Sequence, residues 1–318
     1  MKKIGMLFPG YGSQSVGMGK ELYDASRVIQ EYFEEASNCL NENFVKLCFA
    51  SSDAELAKLH TAYPSIFLVS GALFALLQEK GIKPDIVAGY NLGLYSALFA
   101  AGCFNFPDGL YLLRKLAQFY SDALSVTEVD LVQINGLERD CLAQACRALS
   151  REDAPLAIAI YHNPTTHIVS GSAQAVEEMV THLQQEYPDI KIKKISPAVG
   201  LHSLLMGNVV EQFSVYLAKV DFHDLSCPLI SAVDAQLVTT GQEVEKGIVD
   251  QLSCPIVWDQ VMDRFSDCDI LIEVGPGSML SKLAKKRYPD KIIISVQKQA
   301  DIDTLLKMVE TQDEQAEL

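Results

Sequence analysis

The chain has 318 residues, 49% of them hydrophobic, and a formal charge of −15 at pH 7. Such a length buries a full core and exceeds one minimal domain. The acidic balance excludes general nucleic-acid binding and gives no sign of an anionic membrane surface as partner. No apolar run reads as a membrane span, and Met1-Lys2-Lys3-Ile4 leads straight into a strand pattern without a signal-peptide core, so a cytoplasmic protein is expected. Eight cysteines without paired spacing predict reduced, mostly buried thiols, with neither a disulfide framework nor a metal site.

In chain order, Met6-Leu7-Phe8 is an apolar strand running into the glycine-rich loop Pro9-Gly10-Tyr11-Gly12-Ser13-Gln14, and Val16 to Leu22 opens a helical pattern. A loop of this kind presents backbone N–H groups to an oxygen. The run Ile82 to Ala88 predicts a strand, Tyr95 to Ala101 a helix, and between them stands Gly89-Tyr90-Asn91-Leu92-Gly93. Strand, sharp turn and helix are the setting of a nucleophile elbow, in which flanking glycines remove side chains that would collide and the central residue is raised beside a helix N-terminus. Asn91 fills the central position. Its amide nitrogen is delocalised into the carbonyl and cannot form an acyl-enzyme ester as a serine would. By itself, Gly-x-x-x-Gly fits an ordinary tight turn equally well.

The middle of the chain changes pattern. Leu131 to Ile134, Leu156 to Tyr161, His167 to Ser170 and Ile190 to Ile195 predict strands; Arg139 to Leu149 and Ala173 to Gln185 predict helices. The order βαββαβ is the ferredoxin-like split unit. On either side, up to Val126 and from Pro197 onward, β-rich runs alternate with helical segments, as a parallel α/β sheet demands. Later come Leu201-His202-Ser203 and Ile270 to Leu280, the latter carrying Gly275-Pro276-Gly277. His162 and His167 lack metal-ligand spacing, and His162 is expected at an exposed turn, although the strand there could approach a ligand. Met308 to Leu318 reads as an acidic, frayed tail.

Taken in this order, the loop at Phe8 to Gln14, Thr61 to Ile66 before a long helix, the elbow, Asn163-Pro164 with Ile168 to Gly171, Leu201-His202-Ser203, Gln251 to Trp258 and Ile270 to Leu280 resemble the malonyl-CoA:acyl carrier protein transacylase family, which includes stand-alone acyltransferases of polyketide assembly. The resemblance implies an α/β-hydrolase-like large domain over 1–126 and 197–318, with a ferredoxin-like small subdomain inserted at 127–196 and the active site in the cleft between them. It implies acyl transfer from coenzyme A to the phosphopantetheine thiol of an acyl carrier protein. Acyl-CoA and phosphopantetheine are then substrate groups, and no separate cofactor is needed.

Measured against the family pattern, this chain departs at the site. Tyr90 replaces histidine, Asn91 the nucleophilic serine, Leu94 glutamate, and Tyr11 and Tyr63 glutamines, while Leu116 falls on the carboxylate-binding arginine. An engineered knockout would leave the serine's neighbours alone, so these changes indicate natural divergence. His202 matches the family's catalytic base, with a hydrogen-bonded structural histidine as the alternative. Backbone N–H groups at Tyr11 and Leu92 match the oxyanion hole, and Tyr90, Leu116, Leu201 and Gln251 line the pocket, the carbonyl near Gln251 orienting the histidine. Loss of a triad serine costs about a millionfold in turnover, so inherited malonyl transfer is expected to be weak or lost. A pseudo-acyltransferase that binds carrier protein or thioester, and a His202-assisted thioester hydrolase, are the alternatives.

Without a bidentate arginine a buried carboxylate is costly, which favours an apolar or uncharged acyl group. Arg114 and Lys115 lie about 200 and 100 degrees around the helix from Leu116 and are expected to face elsewhere. An acidic chain docking an acidic carrier needs a local basic rim. Candidates are Lys191, Lys193 and Lys194 on a strand, and Lys282, Lys285, Lys286 and Arg287 on a helix; a solvated face is the plainer account of the strand cluster.

Overall fold

The computed structural model describes residues 2–196 and 202–310, except for the side chains of Leu204 and Glu310. Among the described residues, eleven strands form two sheets: β1 Ile4–Phe8, β2 Ile86–Gly89, β3 Val129–Asn135, β4 Leu156–Asn163, β5 Thr166–Ser172, β6 Lys191–Ile195, β7 Leu229–Ile230, β8 Leu237–Val238, β9 Ile256–Val257, β10 Ile270–Val274 and β11 Ile292–Val296.

The larger sheet has the order β11-β10-β1-β2-β7-β8, parallel throughout except for the edge hairpin β7–β8. β1, β2 and β10 are buried along their whole length, which is why they read as unbroken apolar runs rather than alternating ones. The chain leaves β1 for β2 on one side and later fills the other side with β10. The crevice outside the carboxyl ends of β1 and β2 is thus a topological switch point, where α/β sheets bind ligands.

The helix Leu59–Glu79 packs against this sheet with 17 buried residues. Its length and hydropathy equal those of a membrane span, contrary to the reading that no apolar run is long enough, and 89% of its apolar window is buried inside the protein. A helix enclosed on all sides loses the polar stripe that marks an amphipathic one. Thr61 to Ile66 lie inside this helix, not ahead of it.

The smaller sheet has the order β6-β3-β5-β4-β9, with β6, β3, β5 and β4 paired antiparallel to one another in the ferredoxin-like arrangement. Helices Arg139–Leu149 and Ala173–Glu186 place Leu142, Cys146, Val176, Met179 and Leu183 on its inner face beside Val132, Ile134 and Val169, giving a core separate from that of the large sheet. The fifth strand comes from outside the repeat: Ile256 and Val257 pair in parallel with Ile160 and Tyr161. Of the eight free cysteines, Cys48, Cys103, Cys146 and Cys268 are buried, three are partly buried and Cys39 is exposed, so half rather than most are enclosed.

Candidate active site

At the end of β2 the chain turns through Asn91 with φ 53°, a left-handed conformation rare for a residue with a side chain, and then enters the helix Gly93–Ala100. Both flanking glycines are obligatory. A Cβ on Gly93 would lie 2.0 Å from the carbonyl oxygen of Phe8, and one on Gly89 would lie 2.2 Å from the backbone of Gly93 and Leu94. Gly10 is held equally tightly, since its Cβ would meet the Tyr90 carbonyl oxygen at 2.4 Å. The first loop and the elbow are therefore pressed backbone to backbone, and the Tyr90 N–H donates to Phe8 O at 2.9 Å. Asn41 and Ala235 share this conformation, which asparagine tolerates better than most residues with a side chain.

His202 also has positive φ, 42°, and is 2% exposed. Its Nδ1 lies 2.6 Å from the backbone carbonyl of Gln251, and burial lowers its pKa from 6.5 to about 4. A carbonyl can only accept, so the neutral ring carries its proton on Nδ1 and leaves Nε2 as the lone-pair nitrogen. That Nε2 is buried without a hydrogen-bond partner among the described residues. The Gln251 side chain donates from Nε2 to the backbone carbonyl of Asn91 at 2.9 Å, so one residue fixes both the elbow and the imidazole.

Asn91, Leu92, His202, Gln251 and Leu116 share one cavity with Tyr63, Tyr95, Tyr120, Ile248 and Leu252. Its volume is only about 10 Å³, room for about one water molecule. Leu116 is buried at its wall, while Arg114 is drawn away to Glu42 and the His60 carbonyl and Lys115 lies over the Tyr216 ring. No cation therefore faces the cavity from this helix. The Tyr11 hydroxyl donates to the Ala57 carbonyl at 2.8 Å and its ring packs edge-on to Tyr63, while the backbone N–H groups of Tyr11 and Leu92 donate to no acceptor among the described residues. Leu201 lies outside the described residues.

Tyr90 points away from the cavity. Its ring packs edge-on against Trp258 and His162, and its hydroxyl lies 2.6 Å from His162 Nε2. His162 is partly buried, and desolvation lowers its pKa to about 4, so a neutral ring shares one hydrogen bond with the phenol, its direction set by the tautomer. Tyr90 is thus not among the residues bordering the small void beside His202, and His162 is a partly buried clasp rather than an exposed turn residue. Sequence gave no sign of the pairing, because the two residues are 72 positions apart and neither belongs to a spaced motif.

The acyl transferase domain model matches residues 6–312. A malonyl CoA-acyl carrier protein transacylase of Bacillus subtilis (strain 168) is 33% identical over 288 residues, covering 90% of each chain. Among solved structures, the malonyl CoA-acyl carrier protein transacylase of Clostridium perfringens superposes with a TM-score of 0.92 at 25% identity, covering 99% of this chain and 100% of that one. A malonyl-transacylase in complex with its type II polyketide synthase acyl-carrier protein gives 0.91 at 26%, covering 96% and 99%. With residues 6–312 matched by the family's domain and the fold of its solved members reproduced over 99% of the chain, this chain belongs to the acyl transferase family.

Proposed function

We propose that this protein recognises acyl thioesters and acyl carrier protein on the acyl transferase scaffold of fatty-acid or polyketide synthesis, in the cytoplasm, and that the covalent malonyl-transfer step is weak or lost. The observation that carries this reading is the elbow itself. Asn91 stands at its strained tip, beside a neutral His202 whose Nε2 has no hydroxyl to serve. The uncharged cavity wall at Leu116 supports the same reading, since a malonyl carboxylate buried there would have no countercharge. What persists is the part that does not depend on side-chain identity, namely the free N–H groups of Tyr11 and Leu92 and the orienting carbonyl of Gln251.

The test is intact-mass analysis of the protein with acetyl-CoA, malonyl-CoA and holo carrier protein, beside Asn91→Ser and His202→Ala. The expected result is no adduct and little transfer by the native protein, with an acyl adduct gained in Asn91→Ser. Rapid malonyl transfer by the native protein would refute the reading.

One observation favours a second activity. His202 Nε2 borders a void of about one water. In that hydrolysis, Nε2 takes a proton as the water oxygen bonds to the thioester carbon. The C–S bond breaks as the intermediate collapses, and the proton passes to the thiolate, giving acid and thiol. Thioesterase activity indifferent to His202→Ala would exclude it.

A further inference from the structure

A line of voids continues from the candidate active site toward solvent. The first is the cavity beside His202; the second, also about 10 Å³, is lined by Tyr120, Ala123, Leu124, Val129, Leu205 and Met206. Tyr120 belongs to both. A third, open depression of about 450 Å³ takes over at Leu124, Thr127 and Val129 and opens beside Lys194. Leu116, Tyr120, Ala123, Leu124 and Thr127 form one stripe along the helix Phe106–Val126 and its C-cap, a run of about 17 Å at 1.5 Å per residue. The opposite wall is the short turn Leu204–Met206 just after His202, and Val129 supplies the small-sheet side. The voids thus follow the seam between the two sheets.

The second void is apolar apart from Tyr120 and Thr127, while Asn91, His202 and Gln251 border the first and Glu128, Asp130 and Lys194 border the open depression. Tyr120 borders both of the first two, and its hydroxyl makes no hydrogen bond among the described residues. The ring is buried and packs edge-on to Tyr63, centroids 6.2 Å apart, so opening the passage displaces a core side chain.

We infer that this seam is an acyl-chain channel gated by Tyr120, and that the ligand of the site is a thioester of an unbranched, uncharged, medium-length acyl chain. The inference rests on the thioester reading above and names its substrate class. The carbonyl oxygen sits at the Tyr11 and Leu92 N–H groups, and the alkyl tail runs past Leu116 and Tyr120 toward Leu124.

Calorimetric titration of the native protein with free CoA and with acetyl-, butyryl-, hexanoyl-, octanoyl- and decanoyl-CoA tests it, with malonyl-CoA as the charged comparison. Affinity should rise about fourfold for each buried methylene and then level off, and malonyl-CoA should bind no more tightly than acetyl-CoA. Ala123→Trp, which fills the second void, should abolish the rise for the longer chains and leave acetyl-CoA unchanged. Leu124→Trp, nearer solvent, should bring the plateau to a shorter chain and serves if the first variant does not fold. Affinity flat in chain length, or a rise that both tryptophans leave intact, overturns the channel while thioester recognition stands. Absence of binding by every CoA thioester overturns both.

Discussion

Acidification should destabilise this protein through its buried imidazoles, and the share of His202 can be isolated. His202 keeps its ring neutral in the folded state down to about pH 4, against an ordinary value of 6.5, because burial removes the hydration that a charged ring needs. In the unfolded chain the ring takes its proton near pH 6.5, so between pH 6.5 and 4 the unfolded state binds more protons and stability falls as pH falls. The contribution is full above pH 6.5 and does not change further below pH 4. A displacement of that size corresponds to a loss of about 2 kcal/mol between pH 7 and pH 5, and of about 3 kcal/mol once pH 4 is reached. His202→Asn removes the titration and keeps a residue that tolerates positive φ. Urea unfolding free energies measured for both proteins from pH 7.5 to 4.5 should converge or cross as the native protein loses this amount and the variant does not. Other titrating groups, His162 included, are common to both and cancel. A difference between the two proteins that stays constant with pH would refute the argument that this ring is buried neutral.

Glu273 is fully buried and accepts hydrogen bonds from the N–H groups of Leu280 and Ser281 at the start of the helix Met279–Arg287, so Glu273→Gln, which turns a donor toward donors, should cost about 2–3 kcal/mol in denaturant unfolding. Gly93→Ala should lose more than about 3 kcal/mol or fail to fold, because the added methyl meets backbone at Phe8, whereas Gly247→Ala in open space on the helix Gly241–Ser253 should gain about 0.5–1 kcal/mol; thermal melts of the pair check both. Reversing the exposed Lys285 and Lys286 to glutamate should weaken carrier-protein binding steeply at low salt and little at high salt, and surface plasmon resonance across a salt series reads it directly.

The elements of the βαββαβ unit were legible to within a few residues, since Arg139–Leu149 and Ala173–Glu186 carry one-sided apolar spacing and β3, β4 and β5 are bounded by turn residues. The elbow was legible for a different reason: its glycines are demanded by contacts at 2.0–2.2 Å, which no other residue satisfies. Burial hid what remained. β9 is two residues long and pairs with a strand nearly a hundred positions earlier, leaving no periodic trace. Tyr90 matches the family's histidine position, and that match gave no hint that its ring packs on Trp258 and His162. The narrowness of the cavity is a property of how Tyr63, Tyr95 and Tyr120 converge from separate helices, which a linear pattern does not encode.

The borrowed strand β9 also constrains how the chain can be divided. Without Ile256 and Val257, the β4 edge at Ile160 and Tyr161 has unpaired backbone groups beside Ala159, Ile160 and Ile168, all of which belong to the large core rather than the small one. A fragment carrying only the βαββαβ segment would present that edge to a second copy of itself. The interruption of one fold by the other is in this sense mutual: the insertion depends on a strand that the chain makes only after it has left it.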